Sequence, residues 1–367
     1  MTPTRRRNTC LTGAWLCGLM MLVLSPLPAI AQGSWEKYMQ AGSAAYEQGR
    51  YGEAEKSFQA ALREIEGREP QDLRLDETLR LLVHALLGQR KYAEAEPFAK
   101  RALAIREQAQ GPDNPEVAVS LTDLATAYRG QGKYGEAEQH YKRALAITER
   151  ALGREHSGLA ITLDNLAGVY WDQDRYAEAE PLVRRALAIL EKSHGPMHAD
   201  VANALSNLGA TYYRQGKYAQ AEPVYQRALA ITEKLLGPAH PNVATVLNNL
   251  ALLYQDTSKY AEAERLYRRS LAIVENALGL ENFAVAMGLN NLAGLYQAQG
   301  KDHQAEQLYR RALAIAEKTS PEHPFTAGFL ENHAALLSRM GQKTEAAALE
   351  ARAQAIRAKH GGEKPRK

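Results

Sequence analysis

Apolar residues recur along this chain at spacings of three and four, with polar breaks between the runs. From Val201 to Arg214, the residues Leu205, Leu208, Gly209 and Tyr212 fall on one side of a helix of 3.6 residues per turn. Gln215-Gly216-Lys217 interrupts the stripe, and it resumes from Tyr218 to Leu236 through Ala221, Val224, Tyr225, Ala228, Leu229 and Ile231. Gly237-Pro238-Ala239-His240-Pro241 then ends the second run, because glycine suits a helix C-terminus and proline cannot continue one. The pattern predicts a hairpin of two antiparallel helices.

The same hairpin is written many times. Tyr92, Tyr134, Tyr176, Tyr218 and Tyr260 recur every 42 residues, each in a version of Lys-Tyr-Ala-Glu-Ala-Glu. Arg-Ala-Leu-Ala-Ile follows in phase at Arg101, Arg143, Arg185, Arg227 and Arg311, with Arg269-Ser270 as a variant, and a glycine at Gly111, Gly153, Gly195, Gly237 and Gly279. Weaker copies at Tyr51-Gly52-Glu53-Ala54-Glu55 and Thr344-Glu345-Ala346-Ala347 extend the array to eight units. These are residues 35–75, 76–115, 116–157, 158–199, 200–241, 242–283, 284–324 and 325–358, followed by a polar tail at 359–367. Gly209, Ala221 and Ala228, with their equivalents in other units, are small enough for paired helices to approach closely.

The order small, tyrosine, glycine, tyrosine, alanine, aromatic, alanine is similar to the tetratricopeptide repeat. The 42-residue unit, with Leu-Asn-Asn-Leu-Ala-Leu-Leu-Tyr at Leu247 to Tyr254 and Leu-Gly-Pro-Ala-His-Pro at Leu236 to Pro241, resembles the long variant of kinesin light chains. The resemblance covers residues 35–358. It implies an all-α fold, a right-handed superhelical solenoid of about eight helix-turn-helix repeats whose first helices line a concave groove. It also implies a partner, a protein or peptide. In kinesin light chains the asparagine of the Asn-Leu-Ala segment contacts the backbone of bound peptide. The matching residues here are Asn165, Asn207, Asn249, Asn291 and Asn332, with Asp123 as the substitute in the third unit and Gln40 in the first; the second unit offers Leu81. About a turn further along lie Arg129, Trp171, Tyr213 and Arg214, a composition typical of binding hot spots. The competing reading is that the asparagines bond only to adjacent helices, and that Trp171 and Tyr213 only pack neighbouring units.

Charge narrows the partner class. Lys and Arg number 45 against 42 Asp and Glu, but Arg5, Arg6 and Arg7 lie in a leader without acidic residues, leaving 42 of each sign beyond it. A balanced chain lacks the one-signed surface that nucleic acid or an anionic bilayer requires. Basic Arg5-Arg6-Arg7, the apolar stretch Leu11 to Leu24 and small Ala29-Ile30-Ala31 read as an export signal cleaved before Gln32, at residues 1–31, leaving no membrane span. The destination is the periplasm or the medium. Both cysteines, Cys10 and Cys17, lie in this leader, so the mature chain forms no disulfide.

His156, His198 and His240 recur with the repeat and read as helix-entry residues. His194 and His198 are close enough to share a metal, but no cysteine and no fixed carboxylate partner stands out, so no metal site and no cofactor are expected. The Glu-Ala-Glu carboxylates read as solvated helix starts. No phosphate loop or serine elbow nominates a catalytic residue. The sequence therefore predicts a non-enzymatic, exported interaction scaffold, monomeric because its last helix pair is a polar cap. The alternatives are a structural spacer or self-assembling component of an envelope or secretion complex, or a non-catalytic subunit of an enzyme assembly.

Overall fold

The computed structural model describes residues 33–66 and 73–359. The expected leader and its cleavage point, both cysteines, and residues 360–367 of the tail lie outside the described residues. Within them the chain forms sixteen helices and no strand, and contacts divide it into two units after Ser193. The first unit holds α1 (Ser34–Glu47), α2 (Tyr51–Ile65), α3 (Leu73–Gly88), α4 (Tyr92–Gln110), α5 (Pro115–Gly130), α6 (Tyr134–Leu152), α7 (Leu159–Asp172) and α8 (Tyr176–His194) up to its last residue. The second holds α9 (Ala199–Arg214), α10 (Tyr218–Leu236), α11 (Pro241–Asp256), α12 (Tyr260–Leu278), α13 (Phe283–Ala298), α14 (Asp302–Thr319), α15 (Pro324–Arg339) and α16 (Lys343–Lys359). Odd-numbered helices open the hairpins and even-numbered helices close them. None of these helices is long and apolar enough to cross a membrane.

One turn geometry makes every hairpin. The first helix ends when an amide beyond its C-terminus reaches back to a carbonyl five residues earlier, as in Lys133 to Tyr128, Lys217 to Tyr212 and Lys301 to Tyr296, each at 2.9 Å. That closure needs a left-handed residue, supplied by Gly132, Gly216 and Gly300 at φ of 75°, 71° and 72°. Arg90, Asp174 and Ser258 hold the same position at φ of 61°, 57° and 60°, where a side chain costs about 1 kcal/mol. Between hairpins, a polar residue caps the next first helix. Asn114 and Asn282 accept through Oδ1, and His198, His240 and His323 accept through Nδ1, from the amide two residues on. The helix-entry role expected of the recurring histidines is thus a hydrogen bond that satisfies a first-turn donor.

In several hairpins the core is a second-helix aromatic set against a small first-helix residue, while α4 and α8 carry Ala99 and Val183 at the same position. Tyr141, Tyr225, Tyr267 and Tyr309 are almost fully buried. At Gly42 and Gly209 the fit is close: a Cβ there would lie 2.5 Å from the Phe58 ring and 2.7 Å from the Tyr225 ring. Burial pushes the Tyr141 hydroxyl up to about 12, and it keeps a 2.8 Å hydrogen bond with Thr126. Helices α4, α8 and α10 run through Pro97, Pro181 and Pro223 without interruption.

The Glu-Ala-Glu carboxylates divide into two kinds, which corrects the expectation that all are solvated helix starts. Glu94, Glu136, Glu178 and Glu262 are exposed in the first turns of their helices. The second glutamate, at Glu96, Glu138, Glu222 and Glu264, ties neighbouring hairpins together instead. Lys133 Nζ donates to Glu96 at 2.7 Å, and Lys259 Nζ donates to Glu222 at 2.9 Å, in each case from the following hairpin turn. Tyr170, Tyr254 and Tyr296 donate their hydroxyls to Glu138, Glu222 and Glu264. The turn cation lies over the same ring, at 5.1 Å for both Lys259 on Tyr254 and Lys301 on Tyr296.

Candidate functional site

The first helices bury one stripe and leave another open. On α9, Val201, Leu205, Leu208 and Tyr212 are buried, while Asn203, Asn207, Ala210 and Arg214 occupy the side that reaches solvent. These fall at i, i+4, i+7 and i+11, a single face of a helix. In the second unit the same positions read Thr245, Asn249, Leu252 and Asp256 on α11, Met287, Asn291, Gly294 and Ala298 on α13, and Gly328, Asn332, Ala335 and Arg339 on α15. In this unit α9 touches α11 and α13 touches α15. Asn207, Asn249, Asn291 and Asn332 therefore form a row within one unit. The floor between them is low, because the next position down each helix is small at Ala210, Gly294 and Ala335.

The asparagines differ in what holds them. Asn332 Nδ2 donates to Asn290 Oδ1 at 3.1 Å, as the packing reading expected. The side-chain amides of Asn165, Asn207, Asn249 and Asn291 take no hydrogen bond among the described residues. Each offers a donor and an acceptor to whatever lies on the stripe. The Asn248 side-chain oxygen, one residue before Asn249, is buried without a hydrogen-bond partner.

In the first unit the row breaks. Asn165 on α7 is partly open, but Asp123 on α5 is buried, and the Nε2 of buried His84 lies 3.1 Å from both its carboxylate oxygens. Asp123 is thus engaged with α3. Leu81 is half-buried and Gln40 is exposed.

The hot-spot positions are braced by the fold. Arg129 Nε donates to Asp172 Oδ2 at 2.6 Å, with its guanidinium so close over Gly168 that a Cβ there would lie 2.4 Å from it. Tyr213 donates its hydroxyl to Asp256 Oδ2 at 2.5 Å, and burial followed by that carboxylate raises its pKa. Both bonds span 43 residues, one unit plus one position, a spacing visible in the sequence once the period is known. Trp171 is half-buried, edge-on to Tyr176 at 6.1 Å, and Arg214 is half-buried at the end of α9. Sequence reasoning missed Ile161 and Met287, exposed apolar residues four positions before Asn165 and Asn291 on the same stripe. Their signal was an apolar side chain off the buried stripe.

The sequence matches the family model for the tetratricopeptide repeat over residues 36–108, 74–150, 131–192, 158–234, 200–276 and 284–359. Among solved structures, the fold is similar to the nearly identical TPR-like repeats of a kinesin light chain-like protein from Podosopora anserina. That match has 27% identity over 56% of this chain and 97% of that one, at a TM-score of 0.51. BtubC (BKLC) from P. vanneervenii matches at 22% identity over 68% of this chain and 94% of that one, at a TM-score of 0.52. A Rap protein complexed with competence and sporulation factor shares the fold at 16% identity, over 89% of this chain and 98% of that one, at a TM-score of 0.53. Comparison with curated proteins found no matching sequence.

Proposed function

The chain belongs to the tetratricopeptide-repeat family of protein-interaction scaffolds, and we propose that its second unit binds an extended segment of a partner protein along the open stripe of α9, α11, α13 and α15. The observation that carries this reading is the row of uncommitted amides at Asn207, Asn249 and Asn291. Neighbouring first helices stand roughly 10 Å apart, about three residues of extended chain, so each asparagine meets every third peptide unit. An amide that both donates and accepts holds a backbone whatever its side chains are. Ala210, Gly294 and Ala335 keep the floor low enough for the segment to reach the row. Leu252 and exposed Met287 supply apolar contact there.

Residues 1–31 support export of this scaffold on their sequence alone, to the periplasm or the medium. A second reading, a self-assembling spacer, rests on exposed Leu235, Leu236, Leu278 and Leu280 in the second unit. Sedimentation separates the two: a monomer at micromolar concentration sets the spacer aside.

The binding test is a display library of random peptides selected on the chain and re-measured on a variant with Asn207, Asn249 and Asn291 changed to alanine. Helicity of both is matched first. With about 1 kcal/mol for each lost bond, selected peptides are expected to bind the variant on the order of 100-fold more weakly. Peptides that bind both proteins equally place recognition on another face.

A further inference from the structure

Capping explains the histidines that recur, but His194 does not recur. In phase with it stand Gln110, Leu152, Leu236 and Leu278, and in phase with Asp200 stand Glu116, Gly158, Asn242 and Ala284. One copy of the repeat has thus replaced two positions at once, and both replacements flank the capping His198. The structure brings them together. Asp200 Oδ2 lies 3.5 Å from His194 Nδ1 and 3.3 Å from His198 Nδ1, and the two imidazole rings stand 4.4 Å apart. All three residues belong to the second unit, and one ligand atom from each falls within 4.8 Å of the others. The sequence alone shows no fixed carboxylate for these histidines; the fold supplies Asp200.

The hydrogen bonding of this cluster does not close by itself. His198 Nδ1 accepts the Asp200 amide proton at 3.2 Å, so this nitrogen presents a lone pair and carries no proton. An oxygen of the Asp200 carboxylate lies 3.3 Å from the same nitrogen. A cation bound by both atoms would turn that unfavourable approach into a shared coordination. Zinc bonds of about 2.0–2.2 Å in tetrahedral geometry set ligand atoms roughly 3.3–3.6 Å apart, a range that includes both nitrogen-to-oxygen separations. We propose that His194, His198 and Asp200 form a surface site for a divalent transition-metal ion, with Zn²⁺ as the ion the geometry fits. Two imidazoles and a carboxylate suit Zn²⁺ and its first-row neighbours over Mg²⁺ or Ca²⁺. Three protein ligands leave a fourth position for water or a partner's side chain. All three residues are partly exposed, so the ion enters from solvent. A metal on His198 Nδ1 displaces the Asp200 amide from that lone pair, so binding competes with the helix cap.

The test is calorimetric titration of the untagged chain with ZnCl₂, with Co²⁺ absorption as a readout of coordination. His194→Leu and Asp200→Asn install the residues found in phase at Leu236 and Asn242, so both variants keep a sequence the array already folds. The chain is expected to bind one more Zn²⁺ than His194→Leu. Asp200→Asn should weaken that site by more than the roughly 10- to 100-fold typical of losing an outer-shell partner. His156→Ala and His240→Ala should leave it unchanged, and the visible Co²⁺ bands of a four-coordinate site should vanish only in the first two variants. If the unaltered chain and His194→Leu titrate identically, through no binding or through other histidines, the site does not exist.

Discussion

Replacing Glu96 with glutamine tests whether the second glutamate of the motif ties hairpins together. Its carboxylate accepts from Lys100 at 2.6 Å, Lys133 at 2.7 Å and Gln131 at 2.9 Å. Lys100 first, then Lys133 and Gln131, hold its pKa at about 2, against an ordinary 4.5. Unscreened, that difference would contribute about 3 kcal/mol to folding at neutral pH. The Glu96 side chain is only 15% exposed, but Lys100 and Lys133 are 52% and 41% exposed, so solvent screens both ion pairs. The figure to expect is therefore about 1 kcal/mol. The sign follows from a lowered folded value: the contribution is complete above pH ~4.5 and fades as pH falls toward ~2. Urea unfolding followed by Trp171 fluorescence, a probe in the same unit, should show Glu96→Gln less stable by about 1 kcal/mol at pH ~7, with the gap closing toward pH ~3. A gap of constant size over that range would show the loss to be one of packing or shape and refute the electrostatic account.

Three further outcomes follow from the packing. Ser258→Gly should raise stability by about 1 kcal/mol, because φ of 60° strains a side chain that glycine lacks, and thermal unfolding reads it. Gly209→Val should cost about 1–3 kcal/mol in denaturant, since the Tyr225 ring already lies 2.7 Å from the added Cβ, while Gly209→Ala costs less because other hairpins pair alanine with tyrosine there. Asp123→Ala should destabilise the first unit by about 1–3 kcal/mol by leaving the buried His84 ring without its acceptor, whereas Asp123→Asn keeps an acceptor and loses less in the same measurement.

The period made the fold legible. A 42-residue repeat carrying spacings of three and four allowed one hairpin to be read and copied, and its glycines located the turns. Arg90, Asp174 and Ser258 sit in the same left-handed turn without being glycine, so only the period reveals them. The site was legible in phase but not in partnership. Asn207, Asn249 and Asn291 and buried Asp123 share one register, and the sequence ranked them as equivalents. What separates them is His84, 39 residues earlier, which takes Asp123 into the core. Arg129 and Tyr213 likewise read as free hot-spot residues until their acidic partners one unit onward were in view. Periodicity fixes which face a residue occupies; the contents of the neighbouring unit decide whether its polar atoms are already used.

That distinction bears on how such a scaffold could select a partner. An amide row holds any extended backbone equally well, so discrimination has to come from positions that vary between units. Along the open stripe of the second unit, the residue four before each asparagine changes from Asn203 to Thr245 to Met287 to Gly328. The residue three after it changes from Ala210 to Leu252 to Gly294 to Ala335. The stripe thus passes from polar at α9 to apolar at α11 and α13, then to bare backbone at α15. A segment lying on it meets amide and hydroxyl groups at one end, and Leu252 with Met287 in the middle. Burying an apolar side chain there gains roughly 25 cal/mol per Å², and a charged one set on the same spot loses its hydration without a counter-ion. In the proposed mode of binding, the repeating positions set where a backbone can lie, and the positions that drift set which side chains can lie with it.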